Sequence, residues 1–221
     1  MATRCLWSLP VSAVVFGALA AGCSSPAPEQ YGSHMESSVV PSTTKSAALP
    51  GCADSAAPLL RLTPQAANEP HVAIPLPPGW ERSEQAGSDL IRAAILNADL
   101  RANDFTPNAV VTLENLTGKA DTEQQALDAE RQALTQAGIT ITTDTPGSVC
   151  GHPSMTVTYK LEQRPVTMLI AAASQGNTVW AATVATQTTE PEDPTYVKDQ
   201  RIILEGFQFQ FPEQRHLPTG Q

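Results

Sequence analysis

Beyond about residue 58 the apolar positions fall in short runs broken by proline and glycine, and their spacing predicts the elements. Leu59, Leu60 and Leu62 form the first apolar cluster. Val72, Ile74 and Leu76 alternate weakly and end at Pro77-Pro78-Gly79-Trp80, which reads as an edge strand running into a turn. Trp80 is expected to pack back on the core. Residues 90–100 fit a helical period through Leu90, Ile91, Ala94, Ile95 and Ala98, but a run this short reads equally as a strand. Residues 109–113, Ala-Val-Val-Thr-Leu, are a strand bounded by turn formers.

Residues 121–137 carry the strongest helical pattern. Thr122 and Gln125 can form a capping box. Ala126, Leu127, Ala133, Leu134 and Ala137 fall on one face at the 3.6 period, and Gly138 is a natural stop. Glu123, Asp128, Glu130 and Arg131 are assigned off that face. A run of strands is expected from residue 139. Three of them, near residues 155–164, 166–173 and 178–188, are joined by short turns into an antiparallel meander. Asp193-Pro194 then starts a second helix, with Asp193 as cap and proline in the first turn. Tyr196, Val197, Ile203 and Leu204 supply its apolar face, and Gly206 ends it. Phe207, Phe209 and Phe211 alternate into a last short strand. Strands, helix, meander and helix in that order imply an α+β fold, a central antiparallel sheet sandwiched by helices. One domain, residues 51–221, is enough.

The first fifty residues have a different character. Arg4 is the single charge before a short apolar run over residues 5–21, and Leu19-Ala20-Ala21-Gly22-Cys23 follows. A basic start, an apolar core and small residues before a cut make an export signal over residues 1–22. The cysteine after Ala-Gly resembles the lipobox of bacterial lipoproteins and marks Cys23 for acylation. An ordinary secretory signal with a chance cysteine is the alternative, and Ala20 stands where leucine is commoner. Residues 24–50 hold Pro26, Pro28, Pro41 and Pro50 among Ser, Thr, Ala and Gly, too little apolar surface to offset ordering. With Cys23 they make a tether over residues 23–50. Such a chain of about 27 residues spans roughly 30 Å root-mean-square.

Charge narrows the partners. The chain has 13 basic and 22 acidic residues and a net charge of −9, and Arg4 would leave with the signal. No basic cluster offers phosphate neutralisation, so nucleic acid is excluded as a partner. An acidic domain also has no electrostatic hold on anionic lipid. The membrane is met through the acyl anchor, on the outer face of the cell membrane, and a released form is a further expectation.

Of the four cysteines, Cys5 leaves with the signal and Cys23 is the lipid site. Cys52 and Cys150 remain as an even pair in an oxidising compartment, which predicts a disulfide. Two free thiols are the alternative. There is no C-x-x-C and hence no thiol-redox motif.

Several of these residues together resemble a known family. Ile74-Pro75-Leu76-Pro77-Pro78-Gly79-Trp80, then Leu116-Thr117-Gly118 before an alanine-rich helix, then a meander and helix ending at Gly206-Phe207 are similar to the LpqN/LpqT lipoproteins of actinobacteria, chiefly mycobacteria. The lipobox and tether agree. The Cys52 and Cys150 pair is not a hallmark of the whole family. The resemblance implies a PsbP-like fold and a non-catalytic envelope lipoprotein that binds a mycolate-type envelope lipid or a partner protein in envelope biogenesis. Host interaction is another implied role. It carries no catalytic residue and no cofactor.

The residues themselves yield little chemistry. His34, His71, His152 and His216 have no metal-ligand spacing, and no metal site is expected. No G-x-S-x-G elbow exists. Ser148-Val149-Cys150-Gly151-His152 sets a serine, a cysteine and a histidine in sequence, but neighbours on a strand face opposite ways, so a structural turn is expected. Trp80, Trp180, Met168 and Tyr159 are the candidates for lining an acyl-chain groove, against a plain role as core. A hydrolase or transferase would need its site assembled from distant residues.

Overall fold

The computed structural model describes residues 47–84, 88 and 90–212. The expected signal, Cys23 and most of the expected tether lie outside the described residues. Ala47 to Pro50, the end of the expected tether, are described, and Leu49 packs into the domain with its N–H on Gln208 Oε1 at 2.7 Å.

Two sheets form. β1 (Leu59–Arg61), β2 (His71–Pro75) and β10 (Gln208–Gln210) make a small sheet in the order β1-β2-β10. The second sheet takes β3 (Glu81–Arg82), β4 (Ile91–Leu96), β5 (Asn108–Asn115), β6 (Thr143–Val149), β7 (His152–Leu161), β8 (Arg164–Gln175) and β9 (Thr178–Gln187). Its order is β3-β4-β5-β9-β8-β7-β6, and every pair is antiparallel. α1 (Glu123–Gln136) packs on β7, β8 and β9. α2 (Pro194–Glu205) lies beside β2.

The large sheet therefore has a core on each face. One face packs Ile95, Val111, Val184 and Trp180 against Val72 and Ile74 of the small sheet, Phe209, and Tyr196 and Ile203 of α2. The other packs Met155, Val157, Tyr159 and Ile170 against Ala126 and Leu127 of α1. This is the α+β architecture expected, with the small sheet sharing one layer with α2.

Two expectations are corrected and one open alternative is decided. β2 is the central strand of the small sheet, not an edge. Its proline is tolerated because Pro75 is its last residue and pairing with β10 ends at Ala73. The strand expected from residue 139 begins only at Thr143, as β6, and it pairs with β7 to make a meander of four strands rather than three. Its sequence, Thr-Asp-Thr-Pro-Gly-Ser-Val, is exposed except at Val149 and so shows no apolar alternation. The ambiguous run at residues 90–100 is strand β4 followed by a 3-10 turn at Ala98–Leu100. Pairing with β5 decides what local period could not.

The caps follow the sequence. Thr122 Oγ1 accepts Gln125 N–H at 3.2 Å, and Gln125 Oε1 accepts Asp121 N–H at 2.7 Å. Asp193 Oδ1 accepts the N–H groups of Thr195 and Tyr196. α2 ends at Gly206, where a Cβ would lie 2.7 Å from Pro75 Cγ, so only glycine lets the helix end rest on β2. The loop between β1 and β2 is pinned by the buried ion pair of Glu69 with Arg92. Glu69 Oε2 also accepts Gln65 N–H at 2.7 Å.

Candidate functional site

The candidate residues occupy two places. Trp80 and Trp180 belong to the core between the sheets. Tyr159 belongs to the core under α1, and Met168 packs against that core from β8. The four do not share a surface, because β7 and β8 alternate and the large sheet stands between the pairs. Trp80, Trp180 and Tyr159 are only 6%, 8% and 6% exposed. Met168 alone is partly open. Cross-strand pairing sets it between Val157 and Ala185.

Trp80 is positioned by its turn. Trp80 N–H donates to Pro77 O at 3.0 Å, and Gly79 has φ +82°, a type II turn with Pro78 and Gly79 at its centre. A Cβ on Gly79 would also fall 2.9 Å from Asn97 Nδ2. The indole N–H then donates to Asp199 Oδ2 at 2.9 Å, and Asp199 is 4% exposed on α2. The proline-glycine-tryptophan turn is thus bolted to α2 by a buried, charge-assisted hydrogen bond. Trp80→Phe should cost about 2–4 kcal/mol, because it strands a buried carboxylate. Asp199→Asn keeps an acceptor and should cost less than half as much. Urea midpoints at constant slope measure both; equal losses would contradict this account. Trp180 differs, since its Nε1 has no hydrogen-bond partner among the described residues.

The disulfide end of the sheet carries a cluster of polar groups. Cys150 and Gly151 have φ of 50° and 85° and form the two-residue turn between β6 and β7. Cys150 is bonded to Cys52, with S–S 1.97 Å and Cα–Cα 4.3 Å. His152 Nε2 lies 2.9 Å from Gln210 Oε1, which also accepts Phe211 N–H at 3.0 Å. The Phe211 backbone N–H can only donate, so Gln210 presents its oxygen and the His152 ring donates from Nε2. His152 Nδ1 is 3.5 Å from Glu123 Oε1. The same oxygen accepts Ser174 N–H at 2.9 Å and Ser174 Oγ at 3.2 Å.

This grouping ties α1, β7, β8 and the chain beyond α2 together. It is not a nucleophile-base pair, because Ser174 Oγ meets the carboxylate and not the imidazole. Among the described residues no three His, Cys, Asp or Glu side chains are grouped to hold a metal ion.

The titratable group with the clearest perturbation is Glu130, which the sequence reading assigned off the packing face of α1. It lies three residues after Leu127 and four after Ala126 and is partly buried on their stripe. Burial, and then the charge of Glu114 on β5, push its carboxyl up from 4.5 to about 7, with Lys119 pulling back. Burial also pushes the phenols of Tyr159 and Tyr196 up to about 12. Sequence reasoning missed both Glu130 and Asp199. The available signal was a carboxylate at an apolar helix position: Asp199 falls three after Tyr196 and four before Ile203.

The family model described as "Probable lipoprotein LpqN" matches residues 58–209. The chain belongs to this family. The match runs from the residue before β1 into β10, nearly the whole described domain. Among solved structures, LpqN involved in cell envelope biogenesis of Mycobacterium tuberculosis is 14% identical with a TM-score of 0.50. The alignment covers 69% of this chain and 90% of that one, and at that identity the likeness is one of fold. Cyanobacterial PsbP (CyanoP) from Synechocystis sp. PCC 6803 is 14% identical, with a TM-score of 0.42 over 67% of this chain and 91% of that one. A comparison with curated proteins finds no match. The expectations of LpqN-family membership and of an antiparallel sheet between helices hold.

Proposed function

We propose that the chain is exported, acylated at Cys23 and anchored to the outer face of the membrane. Its domain binds an envelope lipid of the mycolate type, or a protein partner in envelope biogenesis, and catalyses no reaction. The observation that carries this reading is the LpqN family match over residues 58–209. The role in envelope biogenesis is taken from the M. tuberculosis relative.

The partly open Met168 is where we seat the apolar part of a lipid. Leu134, Ile139, Ile141 and Leu161 are partly buried around the same core. An apolar floor with few polar groups is what an acyl chain requires. Trp80 and Trp180 lie in the other core and are assigned to packing.

Titration with trehalose mycolates, with phospholipid as control, tests this directly. Labelled mycolate should be retained, free mycolic acid should not be released, and tryptophan emission should barely change. Met168→Glu should weaken retention about tenfold, equivalent to about 1.4 kcal/mol. Release of free acid would overturn the non-catalytic reading. Absence of retention would remove the lipid and leave the protein partner.

A further inference from the structure

We infer that α1 is a cover whose seat on the core beneath it is governed by whether Glu130 holds a proton. This goes beyond the lipid reading and does not depend on it. α1 has two fully buried residues, Ala126 and Leu127. Leu134 packs on the same core but is only partly buried, and the remaining ties are polar and close to solvent: Glu123 to Ser174 and His152, and Arg131 Nε to Asp144 Oδ2 at 2.7 Å. Such surface ties hold weakly.

Glu130 sits in the middle of the stripe, with Leu134 four residues on, and it has no hydrogen bond among the described residues. A carboxylate there gives up water and gains no donor. The charges around it do not compensate. From β5 it faces Glu114, another carboxylate, and Glu114 Oε1 is already held by Lys119 Nζ at 2.8 Å. On α1 its neighbours are Asp128 and Arg131, and Arg131 is engaged by Asp144 of β6. β7 offers Tyr159, whose phenol stays neutral. β8 and β9 supply Ile170, Ala172, Val179 and Ala181 to this core, none of them charged.

With α1 seated, the carboxyl titrates near 7; with α1 lifted into water it returns toward 4.5. The seated state therefore binds more protons across that window. Seating is fully favoured below about pH 4.5 and weakens as pH rises through about 7. Lifting α1 bares Met155, Val157, Tyr159 and Ile170, the floor it covers.

Hydrogen exchange on the purified full chain, followed by mass spectrometry between about pH 5.5 and 8.5, tests the cover. Glu130→Gln, which mimics the protonated acid, is measured at each pH to cancel intrinsic exchange. Opening of α1 in the wild type, relative to Glu130→Gln, should rise on the order of tenfold to a hundredfold over that range. Amides of β8 should show no such ratio. Glu130→Leu, a second uncharged variant, should match Glu130→Gln, and Glu114→Gln should keep part of the pH response. Equal pH dependence in wild type and both neutral variants would overturn the inference. So would a rise shared equally by β8, which marks global unfolding.

Discussion

Replacing Cys52 or Cys150 by serine should destabilise the domain by about 3–5 kcal/mol and lower its melting temperature by about 10 °C. The bond closes a loop between residues 98 apart in sequence. In the chain-entropy model a loop of that length contributes on the order of 4 kcal/mol by restricting the unfolded chain. A local effect adds to it. Cys52 follows the turn in which its N–H donates to Leu49 O at 3.0 Å, and it packs with Leu49, Leu59 and Ala73. Cutting the bond loosens that segment from the β6–β7 turn. The double variant should lose no more than either single variant, since all three remove one bond. Reduced wild-type protein should fall to the same stability. Additive losses in the two single variants would contradict the pairing.

Cys23→Ala should move the protein from the detergent phase to the aqueous phase, with a drop in membrane partitioning of more than about a hundredfold. Buried acyl methylenes contribute about 0.8 kcal/mol each, and two chains anchor stably where one does not. The net charge is −9, so anionic lipid gives no hold. Among the described residues no helix is long and apolar enough to cross a membrane. The folded domain should keep its melting temperature, because Cys23 stands well before the first described residue. Cys23→Ala protein that still enters the detergent phase would contradict lipid anchoring.

Local signals in the sequence carried the helices. Thr122 with Gln125, and Asp193 with Pro194, fixed where α1 and α2 begin, and both caps are made by residues within four positions. The long strands β7, β8 and β9 were legible because each buries alternate residues on two cores. β6 was placed too early, from residue 139 instead of Thr143, since an exposed edge strand needs only its hydrogen bonds to β7 and leaves no hydrophobic pattern. β4 was undecided for a different reason. Its residues fit either period, and its partner β5 lies beyond a turn.

The candidate site was harder to read because its contacts are distant. Trp80 was seen to pack inward, but its partner Asp199 is 119 residues away. Tyr159 and Met168 were grouped with the tryptophans by residue type, and type carries no information about which face of a sheet a residue occupies. Glu130 was read as solvent-facing from its charge, and the helix geometry sets it on the buried stripe. At both helices the carboxylate on the apolar face is the residue with the more specific environment.

Native mass spectrometry of the full protein after mild extraction tests the central reading most directly. The account predicts a mature chain that begins at Cys23, bears covalent acyl groups and is two hydrogens lighter through the Cys52–Cys150 bond. It also predicts a non-covalent envelope lipid, shed on collisional activation, or a co-extracted protein partner. An unacylated chain that carries neither would contradict it.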